Sequence, residues 1–430
     1  MNEVAPPADV RWHPLTRVLF RFAFVYWLLY CWPGTGRSSL LDAIPWLPYQ
    51  VTTWLEAPWR ALCPWVAVHV FGLSGPVTQY HPTGSGDTTL DYVQAFCTLV
   101  IALAATIVWS VLDRRRTNYA TLYPWLRLVV RFTLAFTLLS YGFSKVFPLQ
   151  FQTPGLSTLV QTYGESSPMR LLWTFMGAST AYTIFAGLAE ATAGTLLLFR
   201  RTAVLGALAA AGVMLNVVLL NYCYDVPVKL YSTHLFLMAV FLLVPEGSAL
   251  WRFFVLHADA HLATVWLPRI ERRWLRNTAL VVQAVIVASV LANNIWSGYT
   301  AWRSPGPYAQ RPRIYGVWDV DRGPWQRLIL PSTQYAVAVG VLGERTTYRT
   351  TYDPPNTITM STLQAASTGK FTYSVGDRRH LRLRGTLDGK IVDVTAHRYD
   401  TKPFLLTSRG FHWINEDPYN RGSSPCRAGG

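Results

Sequence analysis

The chain has 430 residues, of which 51% are hydrophobic and only 14% charged, with 38 Lys plus Arg against 23 Asp plus Glu for a net charge of +15. That balance excludes an ordinary soluble domain and fits a polytopic membrane protein. The cations stand in clusters at the ends of apolar runs, which is the membrane pattern and sets nucleic acid aside as a partner.

A membrane-crossing helix needs ~17 to 25 residues. Segments 17 to 33, 91 to 112, 123 to 145, 171 to 199, 203 to 221, 230 to 245 and 277 to 296 meet that length, which predicts about seven spans, the sixth being the shortest. Arg11 and Arg17 precede the first; Arg114, Arg115 and Arg116 follow the second, Arg200 and Arg201 the fourth, and Arg252, Arg269, Arg272, Arg273 and Arg276 the sixth. All fall on one side, so the positive-inside rule predicts a cytoplasmic N-terminus and an extracytoplasmic C-terminal region, in a bacterial inner or plasma membrane. The first run ends in Tyr30, Cys31, Trp32, Pro33 and reads as a retained anchor.

Residues 34 to 90 follow as an outer loop rich in Trp, Pro and Gly, in which Trp59 to Leu73 is too short to span and is expected at the interface or re-entering. Cys31, Cys63, Cys223 and Cys426 are placed at or beyond the outer surface, where a pair such as Cys31 with Cys63 is one reading and unpaired thiols the other. No CxxC occurs, so no thioredoxin-type dithiol is expected.

Residues 123 to 246 predict a four-helix bundle with a short set of polar groups in apolar helices, and an ionisable side chain in hydrocarbon costs at least ~2.5 kcal/mol. In the first of the four, Arg127, Arg131, Leu134, Leu138, Tyr141 and Lys145 share one stripe, with the arginines expected to snorkel and Lys145 either to do the same or to meet a bundle partner. The next carries Thr183, Gly187, Glu190 and Gly194 on one face; small residues there bring helices close and turn Glu190 toward protein. Glu190 lies about half a bilayer deep, counting ten residues back from Arg200 at ~1.5 Å each. It reads either as a protonated structural acid or as a proton relay. Asn216 shares a stripe with Gly206, Ala209 and Val213 and is expected to face the bundle, with Asn221 on another face. Asp225 and Lys229 belong to a tight outer turn before His234, either an inert ion-paired cap or part of a mouth formed with Lys145 and Asn216 above Glu190.

The run Tyr141, Gly142, Phe143, Ser144, Lys145 closing one helix, with Gly187, Leu188, Ala189, Glu190, Ala191, Thr192 and then Gly194, Thr195, Leu196, Leu197, Leu198 before Arg200, Arg201 and Thr202, resembles the DoxX family of four-helix membrane proteins. The resemblance implies a module associated in some members with quinone-linked sulfur oxidation or with thiol and oxidative-stress complexes. Three further helices and a long C-terminal domain depart from the minimal family. A weaker similarity is to the transmembrane part of vitamin K-dependent carboxylase-like proteins, which also carry an outer β-rich region.

After the last span, 247 to 302 being loop plus helix, the chain from 303 changes character: a Pro and Gly rich linker leads into alternating segments at Ile314 to Val320, Tyr335 to Leu342, Thr346 to Tyr352, Lys370 to Val375, His380 to Thr386, Ile391 to Arg398 and Phe404 to Thr407. With Asp388-Gly389 as a hairpin turn, seven or eight short strands predict an antiparallel sandwich or barrel over 303 to 430. Gly316, Val317, Trp318 resembles a lipocalin opening over one tripeptide. His397 and His412 lack metal-ligand spacing, so no metal is expected.

Two functions remain open from sequence. One is a redox-associated membrane component in which Lys145 or His234 hydrogen-bonds the carbonyl of a quinone, Glu190 relays protons, and Tyr141, Asn216, Asn221, Asp225 and Lys229 line the site. Haem fits less well, because its second histidine would have to be His69. The other is a non-enzymatic carrier or assembly subunit whose outer β-domain binds a lipid or a protein.

Overall fold

The computed structural model describes residues 11–33, 40–80, 84–261, 270–304, 310–362, 367–376, 379–399 and 404–414, so Arg269 and Cys426 lie outside the described residues. It divides into two units, 1–147 with 184–298 and 148–183 with 299–430.

The first unit is helical. Its elements are α1 (Pro14–Cys31), α2 (Tyr49–His69), α3 (Thr89–Leu112) and α4 (Tyr123–Val146), with α7 (Thr180–Leu198), α8 (Ala203–Cys223), α9 (Lys229–Leu243), α10 (Gly247–Phe254) and α11 (Arg273–Arg303) following the excursion into the second unit. Among the described residues six helices are long and apolar enough to cross a membrane: α3, α4, α7, Arg200–Cys223 around α8, Lys229–Phe254 around α9 and α10, and α11. The first expected span is present as α1 but is not among the six, because Arg17 and Arg21 interrupt its 18 residues. The segment expected at the interface belongs to α2, a longer helix that contains Pro58 and Pro64 and packs Trp59, Cys63, Val66 and Ala67 against Leu90, Val93 and Cys97 of α3.

Local rules explain the starts of these helices. Thr88 and Asp91 form a reciprocal capping box on α3, satisfying otherwise orphaned N–H groups, and Pro124 occupies the first turn of α4, where no amide donor is needed. The core then runs through Leu126, Val130, Leu134, Leu138 and Leu139 of α4, meeting Ala193 and Leu197 of α7, Ala207 and Met214 of α8, and Leu235, Met238 and Leu242 of α9. α4 is the centre of this unit: it is the most buried of the six helices, whereas α11 is almost wholly exposed.

The second unit is built on a closed antiparallel barrel of eight strands, β1 (Gly316–Arg322), β2 (Arg327–Leu330), β3 (Tyr335–Val339), β4 (Arg345–Asp353), β5 (Thr357–Thr362), β6 (Thr368–Val375), β7 (His380–Leu387) and β8 (Lys390–Arg398), each paired with its sequence neighbour and β1 closing on β8. Side-chain alternation sets the two faces: along β6 and β7, Phe371, Tyr373, Leu381 and Leu383 point inward while Lys370, Arg382 and Arg384 point out. The turn between β7 and β8 is Asp388-Gly389, both at positive φ, with Leu387 opposite Lys390, as the dipeptide predicts. Two strands escape the sequence reading, β2 and β5, and Phe404 to Thr407 is a correction: the helical turn α12 (Leu405–Ser408) stands where a strand is expected.

The same unit takes in α5 (Leu156–Leu159) and α6 (Pro168–Ala178). Leu156 and Val160 cover an apolar patch of Val317, Ile329 and Val337 on the barrel, and the Arg345 guanidinium donates to the Ser157 carbonyl at 3.0 Å. The barrel interior is packed with Trp318, Tyr348, Phe371, Leu328 and Met360, so it is a core and not an open cup.

Candidate functional site: a buried ion pair and a histidine cluster

Two glycines decide where α4 and α7 touch. A Cβ on Gly187 would stand 2.6 Å from the Gly142 carbonyl oxygen and 2.7 Å from the Lys145 Cβ, and one on Gly142 would stand 2.7 Å from the Ala191 nitrogen. Backbone therefore lies on backbone, which is the small-residue mode of close helix packing. Gly194, two turns further, meets the Ala135 carbonyl in the same way.

This contact brings together the two ionisable groups. Lys145 Nζ donates to Glu190 Oε2 at 2.7 Å, with both residues buried. The ammonium also reaches the Tyr141 carbonyl at 3.4 Å and sits 5.6 Å from the Tyr141 ring centroid. Tyr141 itself is 39% exposed and covers the pair from the rim. Of the alternatives open from sequence Lys145 takes the bundle partner, and Glu190 faces protein as its small-residue face predicts.

His234 belongs to a second cluster, on α9 against α1. Its Nδ1 is 2.7 Å from the Leu230 carbonyl oxygen, which can only accept, so Nδ1 carries the proton; Nε2 is hydrogen-bonded to the Tyr26 hydroxyl at 2.7 Å. The Tyr30 ring stacks on the imidazole at 4.0 Å. Tyr26 and Tyr30, one turn apart on α1, are functional candidates that sequence reading missed. Beside the ion pair, Tyr141 approaches Tyr231 of α9 at 6.3 Å between ring centroids, and the Tyr231 and Thr137 hydroxyls are 3.4 Å apart.

A third cluster ties the outer turn. The Asp87 carboxylate accepts from the amides of Lys229 and Leu230 at 2.8 and 2.9 Å, capping α9 from another element, while Lys229 Nζ pairs with Asp225 at 2.8 Å. The ion-paired cap expected as one alternative for Asp225 and Lys229 is what forms, and Asp87 completes it. Asn221 is buried and donates to the Ser232 hydroxyl at 3.0 Å, joining α8 to α9.

Three expectations are corrected. Asn216 is exposed, because the buried stripe of α8 runs through Ala203, Gly206, Ala207, Ala210, Met214 and Asn221, rotated away from it. Arg131 is buried instead of snorkelling, its guanidinium 5.0 Å from the Phe132 ring. The residues expected at one mouth are held instead in three hydrogen-bonded clusters, with the exposed Asn216 in none of them. As for haem, His69 stacks on Trp65 at the exposed end of α2, far in character from the buried His234. Among the described residues no group of three metal-binding side chains occurs; Cys31, Cys63 and Cys97 are buried and Cys223 is exposed.

No family model and no solved structure matches the chain. A segment of 115 residues, 26% of the chain, is 39% identical to the uncharacterized protein YwoB of Bacillus subtilis (strain 168) and covers 71% of its length. The chain belongs to the YwoB family. YwoB is described only as uncharacterized, so family membership brings no activity with it, and function rests on the geometry of the clusters above.

Proposed function

We propose that the chain is a DoxX-like, redox-associated membrane protein in which Lys145 and Glu190 form the acid–base couple for a quinone or a similar flat carbonyl compound. The observation that carries this reading is the 2.7 Å ion pair held across two helices, out of water, beside a half-exposed tyrosine. In a low-dielectric site the ionised pair and its neutral counterpart, Lys-NH2 with Glu-COOH, differ by one proton shift along an existing hydrogen bond. Tyr141 offers a ring on which a quinone stacks from the lipid side, with the Lys145 ammonium as donor to its carbonyl. Quinone reduction to quinol takes up two electrons and two protons; a thiol pair oxidised to a disulfide supplies both electrons and both protons, which Glu190 passes to Lys145 and Lys145 to the quinone oxygens. His234, hydrogen-bonded to Tyr26, serves as the second proton station.

In the same reading α1 is a seventh span. Its Arg21 is buried yet fully engaged, donating to the Tyr119 hydroxyl, the Ser110 hydroxyl and the Asp113 carbonyl, so the charge does not bar it from the bundle. The start of α1, the end of α3, the start of α4 and the end of α9 share one level, through the Arg17 bond to the Arg116 carbonyl and the Arg127 bond to the Leu242 carbonyl. That level carries the arginine clusters, which favours a cytoplasmic N-terminus and an outer barrel.

A carrier or assembly role is the second reading, favoured by the barrel itself. Because its interior is filled, a partner in this reading binds the outer face of the strands. Reduction of a short-chain quinone by dithiothreitol, catalysed by the protein in nanodiscs, tests the first reading. Glu190→Gln is expected to abolish the rate above background, whereas no catalysed rate in the unaltered protein leaves the carrier role.

A further inference from the structure

The two sides of α8 differ in what they meet. Toward the bundle Ala203, Gly206, Ala207, Ala210, Met214 and Asn221 are buried, and Asn221 finds its acceptor in the Ser232 hydroxyl of α9. On the other side Leu205, Ala209, Gly212, Asn216, Leu219 and Cys223 follow at steps of four, three, four, three and four, all exposed except the half-buried Ala209. That alternation is the seam of a two-stranded coiled coil, apolar or small at every position but one.

The exception is Asn216. It stands ~20 Å from the start of α8 and ~10 Å from its end, at ~1.5 Å per residue, inside the apolar span. A carboxamide in hydrocarbon needs partners for its amide donors and its carbonyl oxygen. Elsewhere the protein supplies one even on an exposed helix: Asn294 of α11 donates to the Val290 carbonyl of the preceding turn at 2.8 Å. Asn216 makes no hydrogen bond among the described residues. One turn before it, a Cβ on Gly212 would meet nothing within 4 Å, and across a shallow groove Ala189 and Thr192 of α7 border the same face.

We infer that this face of α8 is the contact between two copies of the chain, related by a two-fold axis along the membrane normal. Three features favour a second copy as the occupant. An axis in that direction sets identical residues at identical depth, so Asn216 meets Asn216. A carboxamide both donates and accepts, so the two satisfy each other, which a lipid tail cannot do. One asparagine in an otherwise apolar seam is also the device by which parallel coiled coils fix a dimer and its register. Small residues at 209 and 212, where glycine and alanine both serve, let the backbones approach. The inference does not rest on the redox reading, since it uses none of that reading's residues.

The test uses full-length protein carrying donor or acceptor dyes on a terminal tag, co-reconstituted into liposomes over a range of protein-to-lipid ratios. Energy transfer is expected to rise with the ratio and saturate at the level of a dimer. Asn216→Leu is expected to raise the dissociation constant about tenfold, and Asn216→Gln, which keeps the carboxamide, to stay within about threefold of the unaltered protein. Thermal unfolding of single copies in nanodiscs separates lost association from lost folding, with no change expected for Asn216→Leu. Cys223 gives a native second readout. The seam brings its two copies together at the end of α8, so oxidation by copper phenanthroline is expected to give a disulfide-linked dimer that Cys223→Ser abolishes. Protein that stays monomeric at every ratio overturns the inference and leaves the face to lipid or to another protein's helix. So does an Asn216→Leu variant that associates as tightly as the unaltered chain, or a cross-linked dimer formed in equal yield by Cys223→Ser.

Discussion

Replacing Gly187 by alanine perturbs the crossing on which the ion pair depends. The new methyl group would meet three fixed atoms, the Gly142 carbonyl oxygen at 2.6 Å, the Lys145 Cβ at 2.7 Å and the Val146 nitrogen at 2.8 Å. Ordinary contact needs ~3.5 Å, so α4 and α7 must part by nearly 1 Å there. Overpacking of this kind costs ~1 to 3 kcal/mol. Separation also pulls Lys145 from Glu190, and a buried pair that loses its geometry approaches the ~3 to 5 kcal/mol seen when one partner is removed. Gly212 on α8 is the control, because nothing lies within 4 Å of a Cβ built there. Thermal unfolding in nanodiscs is expected to show a lowered midpoint for Gly187→Ala and an unchanged or raised one for Gly212→Ala. Equal midpoints for the two variants would refute the close-packed crossing and, with it, the reason the ion pair forms.

Asp87→Ala leaves the first amides of α9 uncapped and is expected to destabilise the helical unit by ~1 kcal/mol, read from the same thermal assay, with Asp87→Asn milder because one acceptor oxygen remains. Tyr26→Phe removes the hydroxyl bonded to the His234 Nε2 and is expected to lower the same midpoint by ~1 kcal/mol; an unchanged midpoint would show that the bond is not formed in the membrane. On the barrel, the Arg382 guanidinium hydrogen-bonded to Asp393, with Arg384 and Arg322 nearby, pulls that carboxyl from its ordinary 3.8 down to about 2. A folded value below the unfolded one gives stability that is complete above pH 3.8 and is lost as pH falls toward 2. Asp393→Asn is therefore expected to flatten the acid limb of the barrel's unfolding midpoint between those values, and added salt to shrink the difference, since the pair is exposed.

Much of the helical bundle was legible in the sequence because small residues repeat at helical spacing. The Thr183, Gly187, Glu190 and Gly194 stripe correctly turned Glu190 inward, and Lys145 emerged as the cation at the far end of α4. What could not be read was whether the two meet, since that depends on a crossing point set by two glycines on different helices. Asn216 was misplaced for a related reason: α8 is apolar all round, and its true buried stripe differs by less than half a turn from the one containing Asn216. Tyr26, Tyr30 and Asp87 stayed hidden because their partners are distant in sequence; the remaining signal was a tyrosine pair at helical spacing and an acid just ahead of the Thr88 capping box. In the barrel, alternation over long strands such as β6 and β7 was clear. By contrast, β2 has only four residues and β5 is rich in threonine, so neither carries a strong apolar alternation.

Infrared difference spectroscopy of the protein in nanodiscs, recorded as bound quinone is reduced to quinol, reports directly on whether Glu190 exchanges a proton. The expected result is a carboxyl carbonyl band that changes on reduction and is missing in Glu190→Gln. A difference spectrum identical in both proteins would contradict any role for the Lys145–Glu190 couple in proton transfer and leave it as a purely structural tie between α4 and α7.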